Sequence, residues 1–345
     1  MPKSRSALVA FGTAIAVLIT MRFLPDALTN SIRLLPTSST YSFSFEPTTA
    51  RLFDARAFES ATAPGCPNEP HPAFTCFLTE TTLSRSQTFQ FSPADTKKET
   101  RLTVRDIISA DGRPVMDTTD TSELVRHSAF PVDDPVASAQ TTSELPGFNR
   151  NYAGEIRTGL QYAFPFASEW RSYLYFDQFG HSSYPIDFQD REDHNGTTVY
   201  RFHQDLKTFK LNGFTAKGTA SQYYTPHEMQ QMGLRPSDAV SLDQFYSASR
   251  TVWVEPKTGT VLDIQEEPRS FLARNIEEAT AMGAADERML FRATFTLDAA
   301  TKTKQRDLAT QGVHRLKAIH LLVYLSHVVT TVLLLWGVYA VRRDK

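Results

Sequence analysis

Apolar residues gather at the two ends of this chain and alternate with polar ones in between. Residues 6–21, SALVAFGTAIAVLITM, carry no charge, and residues 318–341, AIHLLVYLSHVVTTVLLLWGVYAV, hold no formal charge beyond their two histidines. At about 1.5 Å per residue the second run extends roughly 36 Å as a helix, longer than a hydrocarbon core of about 30 Å. Arg315 and Lys317 precede it, and Arg342, Arg343 and Lys345 follow it. It reads as a transmembrane helix. The first run ends at Arg22, Phe23, Leu24 and the helix-breaking Pro25. Lys3 and Arg5 would suit a signal peptide, but the exit RFLPDALTN offers no small-x-small cleavage site. An uncleaved signal anchor is the favoured reading, with a cleaved signal peptide as its rival.

Between the runs the period falls to two. Tyr41-Ser-Phe-Ser-Phe45 alternates aromatic and serine, and residues 100–108 alternate up to a turn at Asp111-Gly112. Residues 184–191 and 198–204 flank His194-Asn-Gly-Thr197, and residues 250–255 and 260–266 flank Pro256-Lys-Thr-Gly259. Both read as hairpins, because Gly and Asn accept the positive φ that tight turns need and Pro presets the turn's first φ. Thr225-Pro226-His227-Glu228 predicts an N-cap opening a short helix to about Met232. Residues 298–315 predict a helical stalk, and the Ser/Thr/Asp-rich stretch 117–142 reads as a long loop.

The pattern gives a β-rich α+β chain, an antiparallel-sheet periplasmic domain flanked by an N-terminal and a C-terminal transmembrane helix. The expected boundaries are tails at 1–5 and 342–345, spans at 6–24 and 316–341, and the domain at 25–315. Basic residues in both tails favour cytoplasmic termini, although the flank before the second span is basic too.

Composition narrows this further. Among 345 residues, 36 Lys+Arg face 38 Asp+Glu, a formal net charge of −2, so no basic surplus points to nucleic acid. Two cysteines are too few for a four-thiolate metal site. Cys66 and Cys76 close the Pro-rich loop CPNEPHPAFTC, which predicts a disulfide and an oxidising compartment; two unrelated buried thiols are the alternative.

Three stretches carry a family resemblance: GLQYAFPFASEWRSYLYFD from Gly159, VYRFHQ from Val199, and RTVWVEPKTGTVLDIQEE from Arg250. With a span at each end, they resemble the DUF3068 family of actinobacterial envelope proteins, often labelled "PorA family". The Cys66–Cys76 loop is outside the pattern, and the region before Pro146 matches poorly. The resemblance implies an inner-membrane protein that serves outer-envelope construction, through trehalose mycolates or through maturation of lipomannan and lipoarabinomannan. It supplies no catalytic residues.

Each candidate chemistry has a plainer structural rival. Tyr162, Phe164, Phe166, Trp170, Arg171, Tyr173 and Tyr175, with Phe176, could line a groove for a lipid tail and sugar head, though most suit a sandwich core. His181, His194 and His203 have acidic neighbours but none of the tight metal-binding spacings, so no metal and no cofactor are expected. Glu266 and Glu267 fall on opposite strand faces, where surface exposure explains them. Asn195-Gly196-Thr197 is a sequon read as a hairpin turn. In the second span His320, Tyr324, His327 and Thr331 share one face, and Gly12, Ala16 and Thr20 make a small-residue stripe on the first. The plain reading packs those two faces together; the sharper one docks them on a multispan partner such as a mycolate exporter.

The resulting expectation is a non-enzymatic assembly factor binding or trafficking an envelope glycolipid or lipoglycan. Its alternatives are a scaffold or porin-like pore subunit, and a lipoglycan-modifying enzyme. The pore is disfavoured because polar-faced strands cannot meet lipid and two helices enclose no channel.

Overall fold

The computed structural model describes residues 3–69, 72–194, 196–282 and 288–343. Asn195, Lys345 and the side chains of Lys3 and Arg5, which entered the expectations above, lie outside that description. In chain order the elements are α1 (Lys3–Arg33), β1 (Ser39–Ser44), β2 (Thr48–Phe53), α2 (Ala55–Glu59), a 3-10 turn (Phe74–Phe77), β3 (Leu78–Pro93), β4 (Glu99–Ala110) and β5 (Arg113–Val125). Then come β6 (Ala137–Ser143), β7 (Arg150–Glu155), β8 (Tyr173–Asp177), β9 (Ser182–His194) and β10 (Thr197–Thr219). The chain closes with α3 (Ala220–Tyr223), α4 (Pro226–Met232), β11 (Ala239–Glu255), β12 (Thr260–Ala273), α5 (Ile276–Met282), β13 (Met289–Arg292), β14 (Phe295–Thr296) and α6 (Ala299–Arg343). Two compact units result, one of residues 1–35 and 307–345, the other of residues 36–306.

In the first unit, both helices are long and apolar enough to cross a membrane. Pro25 sits inside α1 and does not end it. Proline removes one main-chain hydrogen bond, which a helix with intact turns on either side survives. α6 runs 45 residues without a break, joining the expected stalk and span in one helix. The two helices meet through small side chains. Ala7, Ala10 and Ala14 are buried on α1, and Ser326 and Thr330 on α6. A Cβ added to Gly337 would come within 3.0–3.2 Å of the Phe11 ring. Such residues let backbones approach closely, the main source of helix contact where lipid is already apolar.

The second unit is one 14-stranded antiparallel sheet. Its strand order is β7-β6-β5-β4-β3-β2-β13-β12-β11-β10-β9-β8, with β1 also on β3 and β14 on β12. It does not close, and β7 and β8 are its edges. The two predicted hairpins form as β9–β10 and β11–β12, with Gly196 and Gly259 at φ +80 and +69. Asp111-Gly112 turns β4 into β5 with φ +48 and +81. Residues 117–142, expected as a loop, are mostly β5 and β6. Their Ser, Thr and Asp form ladder pairs such as Thr118 with Thr141, whose hydroxyls lie 3.0 Å apart. α4 opens with the capping box Thr225–Glu228 and ends at Gly233 in the left-handed region.

Alternation is regular and places the core on the sheet's inner face. On β3, Leu83, Arg85, Gln87, Phe89 and Phe91 are buried, while Ser84, Ser86, Thr88 and Gln90 face solvent. β4 buries Leu102, Val104, Asp106 and Ile108. A satellite core under the 3-10 turn gathers Phe53, Phe74, Phe77 and Tyr223, beside the disulfide joining Cys66 to Cys76.

Candidate functional site

The inner face holds charge where its phase calls for apolar residues. Arg85 on β3 donates to both Asp106 oxygens, at 2.6 Å from Nη2 and 3.0 Å from Nε, and through Nη1 to Glu266 at 2.5 Å. Arg250 on β11 grips the other Glu266 oxygen, donates to Asp177 at 2.8 Å, and donates to Gln204. Tyr246 closes the chain with a 3.1 Å bond to Asp177. Arg85 lies over the rings of Phe45 and Phe295, at 4.8 and 5.0 Å. Glu266 is therefore buried, not surface-exposed as expected. Burial pushes its carboxyl up, but the Arg250 and Arg85 guanidiniums outweigh that and hold it down at about 2. Burial also pushes the Tyr246 hydroxyl far up, with Asp177 adding to the effect. A second buried pair, Arg157 with Asp120 at 2.6 and 3.0 Å, takes in Gln161 and the Tyr162 hydroxyl.

Sequence reasoning missed this network. The signal was present: Arg85 is in phase with Leu83 and Phe89, Asp106 with Val104 and Ile108, and Arg250 with Ala248 and Val252. Chemically, the network ties strands together and leaves little room. Its voids are about 30 Å³, beside Gln87, Tyr162, Arg250 and Glu266, and about 10 Å³, beside Asp106 and Arg150. The larger holds about one water by volume. Among the described residues, the sheet's interior beside this network is a packed core.

The aromatic segment fills the same core. Phe164, Tyr173, Tyr175 and Phe176 are buried, and Phe164 packs on Phe202 at 4.7 Å and edge-on to Tyr173 at 5.7 Å. Tyr162 meets Phe89 edge-on at 5.2 Å, and Phe166 is half-buried. Trp170 is 66% exposed, and Arg171 pairs with Glu169 over the Tyr173 ring. No tunnel several hundred Å³ in volume runs along them among the described residues. A cavity of about 850 Å³ lies elsewhere, with Asp54, Arg56, Asp111, Arg113 and Glu144 in its wall. Arg56 and Arg113 both close on Glu144, at 2.6 and 2.5 Å, so its cations are neutralised internally.

The three histidines go to separate partners. His181 takes Glu155 at 2.7 Å and stacks on Tyr152, His194 takes Glu192, and His203 lies between Thr251 and Asp205. On the helices, His320, Tyr324, His327 and Thr331 are exposed, as are Gly12, Ala16 and Thr20. The expected packing of these faces on each other is replaced by the Ala7/Ala10/Ala14 seam. Four-residue spacing identifies a face but not what it meets.

The description "Porin PorA" belongs to a protein family whose pattern matches residues 6–339. A porin PorA of Corynebacterium amycolatum is 26% identical over 349 residues, covering 89% of each chain. A porin PorA of Corynebacterium resistens is 26% identical over 335 residues, covering 82% of this chain and 80% of that one. These matches overturn the glycolipid expectation: they support membrane and envelope, and they do not support trehalose monomycolate, lipoarabinomannan or lipid transport. The porin-like alternative, disfavoured from sequence, is the one they favour. The chain belongs to the porin PorA family.

Proposed function

We propose that this member of the porin PorA family is a non-enzymatic, helix-anchored subunit of an envelope channel, with its membrane-crossing part made of α1 and α6 rather than strands. The DUF3068 label belongs to the same reading. One observation carries it: the sheet's outward face is hydroxyl, amide and charged residues, as at Ser84, Ser86, Thr88, Gln90, Arg101 and Arg105, and its inward face around Arg85 and Glu266 leaves a void of only about 30 Å³. A membrane β-barrel needs the reverse, an apolar outer band around a closed ring of strands. Here the apolar surfaces of membrane length are helical. The 36–306 unit then works in water as a rigid extramembrane body. Basic residues in both tails favour cytoplasmic termini. Since two helices enclose no lumen, conduction requires several copies.

The test is reconstitution of the full chain into planar lipid bilayers. Stepwise conductance that grows with protein concentration is expected. Inserted protein that leaves the bilayer silent under voltage and salt gradients overturns the reading.

A further inference from the structure

We infer that the α6 face carrying His320, Tyr324, His327 and Thr331 lines the aqueous path, the path being enclosed by further copies of this chain. The inference rests on the channel reading and names the residues that do its work.

The polar residues of this helix sort by face. Ser326 and Thr330 are buried in the seam with α1, and the Ser326 hydroxyl bonds back to the Val323 carbonyl at 2.7 Å. His320, Tyr324, His327 and Thr331 point out of the hairpin, Tyr324 with 67% of its surface open. One residue onward, roughly 100° around the helix, Leu321, Leu325, Val328 and Val332 form an exposed aliphatic stripe. The helix therefore presents one outward face suited to lipid and one that is not. The polar stripe covers eleven residue steps, about 16 Å, half the hydrocarbon depth. His327 Nδ1 bonds to the Val323 carbonyl at 2.8 Å and the Thr331 hydroxyl to the His327 carbonyl at 2.9 Å. With Nδ1 donating, Nε2 is left as an outward-facing acceptor. Polar groups at this depth belong against protein or a water-filled cavity, because hydrocarbon offers them no hydrogen bond.

A separate face, on α1, is open to a neighbouring copy. Gly12, Ala16 and Thr20 are exposed on α1, and a Cβ on Gly12 would meet nothing within 4 Å. A neighbouring helix can approach closely there. Two imidazoles per copy then face the water. Lys317 shares their face at the membrane boundary, and residues 6–21 of α1 bring no titratable side chain.

The described cysteines are both in the disulfide, so single cysteines can be placed in the full chain. His327→Cys, Thr331→Cys and, as a lipid-side control, Leu325→Cys would be reconstituted without reductant and treated with a charged, water-borne thiol reagent. Several-fold block at His327→Cys and Thr331→Cys, with Leu325→Cys unchanged, is expected. A conducting protein that is unaffected at residues 327 and 331, or equally blocked at 325, overturns the lining alone. A parent chain that does not conduct overturns the channel reading and the lining with it.

Discussion

Arg85 and Glu266 touch at 2.5 Å although 181 residues separate them and β2 and β13 lie between their strands. Strands are about 4.8 Å apart in a sheet, so β3 and β12 would stand roughly 14 Å from each other if it were flat. The contact requires the sheet to curl around its inner face, and the curl brings Asp106, Arg85, Glu266, Arg250 and Asp177 into one row.

Truncating the centre of that row takes one of two carboxylate partners from each of two buried guanidiniums. Glu266→Ala should cost about 3–5 kcal/mol, read as a lower urea midpoint. With the Glu266 carboxyl held at about 2, below its ordinary value of 4.5, its stabilisation is full above pH 4.5 and disappears as pH falls toward 2. That amounts to on the order of 3 kcal/mol. Glu266→Gln should flatten that limb of the stability curve, and an unchanged limb would assign acid unfolding to other groups.

A second pH effect belongs to the sheet's edges. His181, in the turn between β8 and β9, stacks on Tyr152 of β7 at 4.0 Å and bonds to Glu155. Burial lowers the His181 pKa, and Glu155 opposes that only in part. A depressed folded-state value means the contribution is complete above pH 6.5 and is lost as pH falls through the folded value. His181→Asn, which tolerates the φ of +52 here, should remove the loss of stability between pH 6.5 and 5, followed by urea unfolding at each pH.

The aromatic segment should divide by burial. Phe164 is 3% exposed, and Phe164→Ala should cost about 3–5 kcal/mol. Trp170 lies outside the core against Phe188 and Tyr200, and Trp170→Ala should cost no more than about 1 kcal/mol. Equal losses in thermal unfolding would mean the two share one packed cluster.

Orientation is testable in cells. Protease added outside spheroplasts should digest the 36–306 unit and spare epitopes at both termini. Protection of that unit, with cleavage only after lysis, would reverse the proposed topology.

Much of this protein was legible locally. Uncharged runs of membrane length, period-two alternation, Asn-Gly and Pro-Lys-Thr-Gly turns, and the Thr225–Glu228 cap act within a few residues, so the sequence alone determined both long helices, the hairpins and α4. Two local rules misled. Pro25 looked like a stop, and the hydroxyl-rich 117–142 stretch looked like a loop, yet helix continuity and ladder pairing prevailed.

The tertiary structure decided what each residue meets. Alternation placed Arg85, Asp106, Arg250 and Glu266 on the core face, but only the curl of the sheet showed that they neutralise one another. Likewise, spacing grouped His320 with His327 and Gly12 with Ala16, while packing seated Ala7, Ala10 and Ala14 in the seam and left those faces outward. Periodicity is a property of neighbours along the chain; pairing and burial depend on segments that the backbone brings together from far apart.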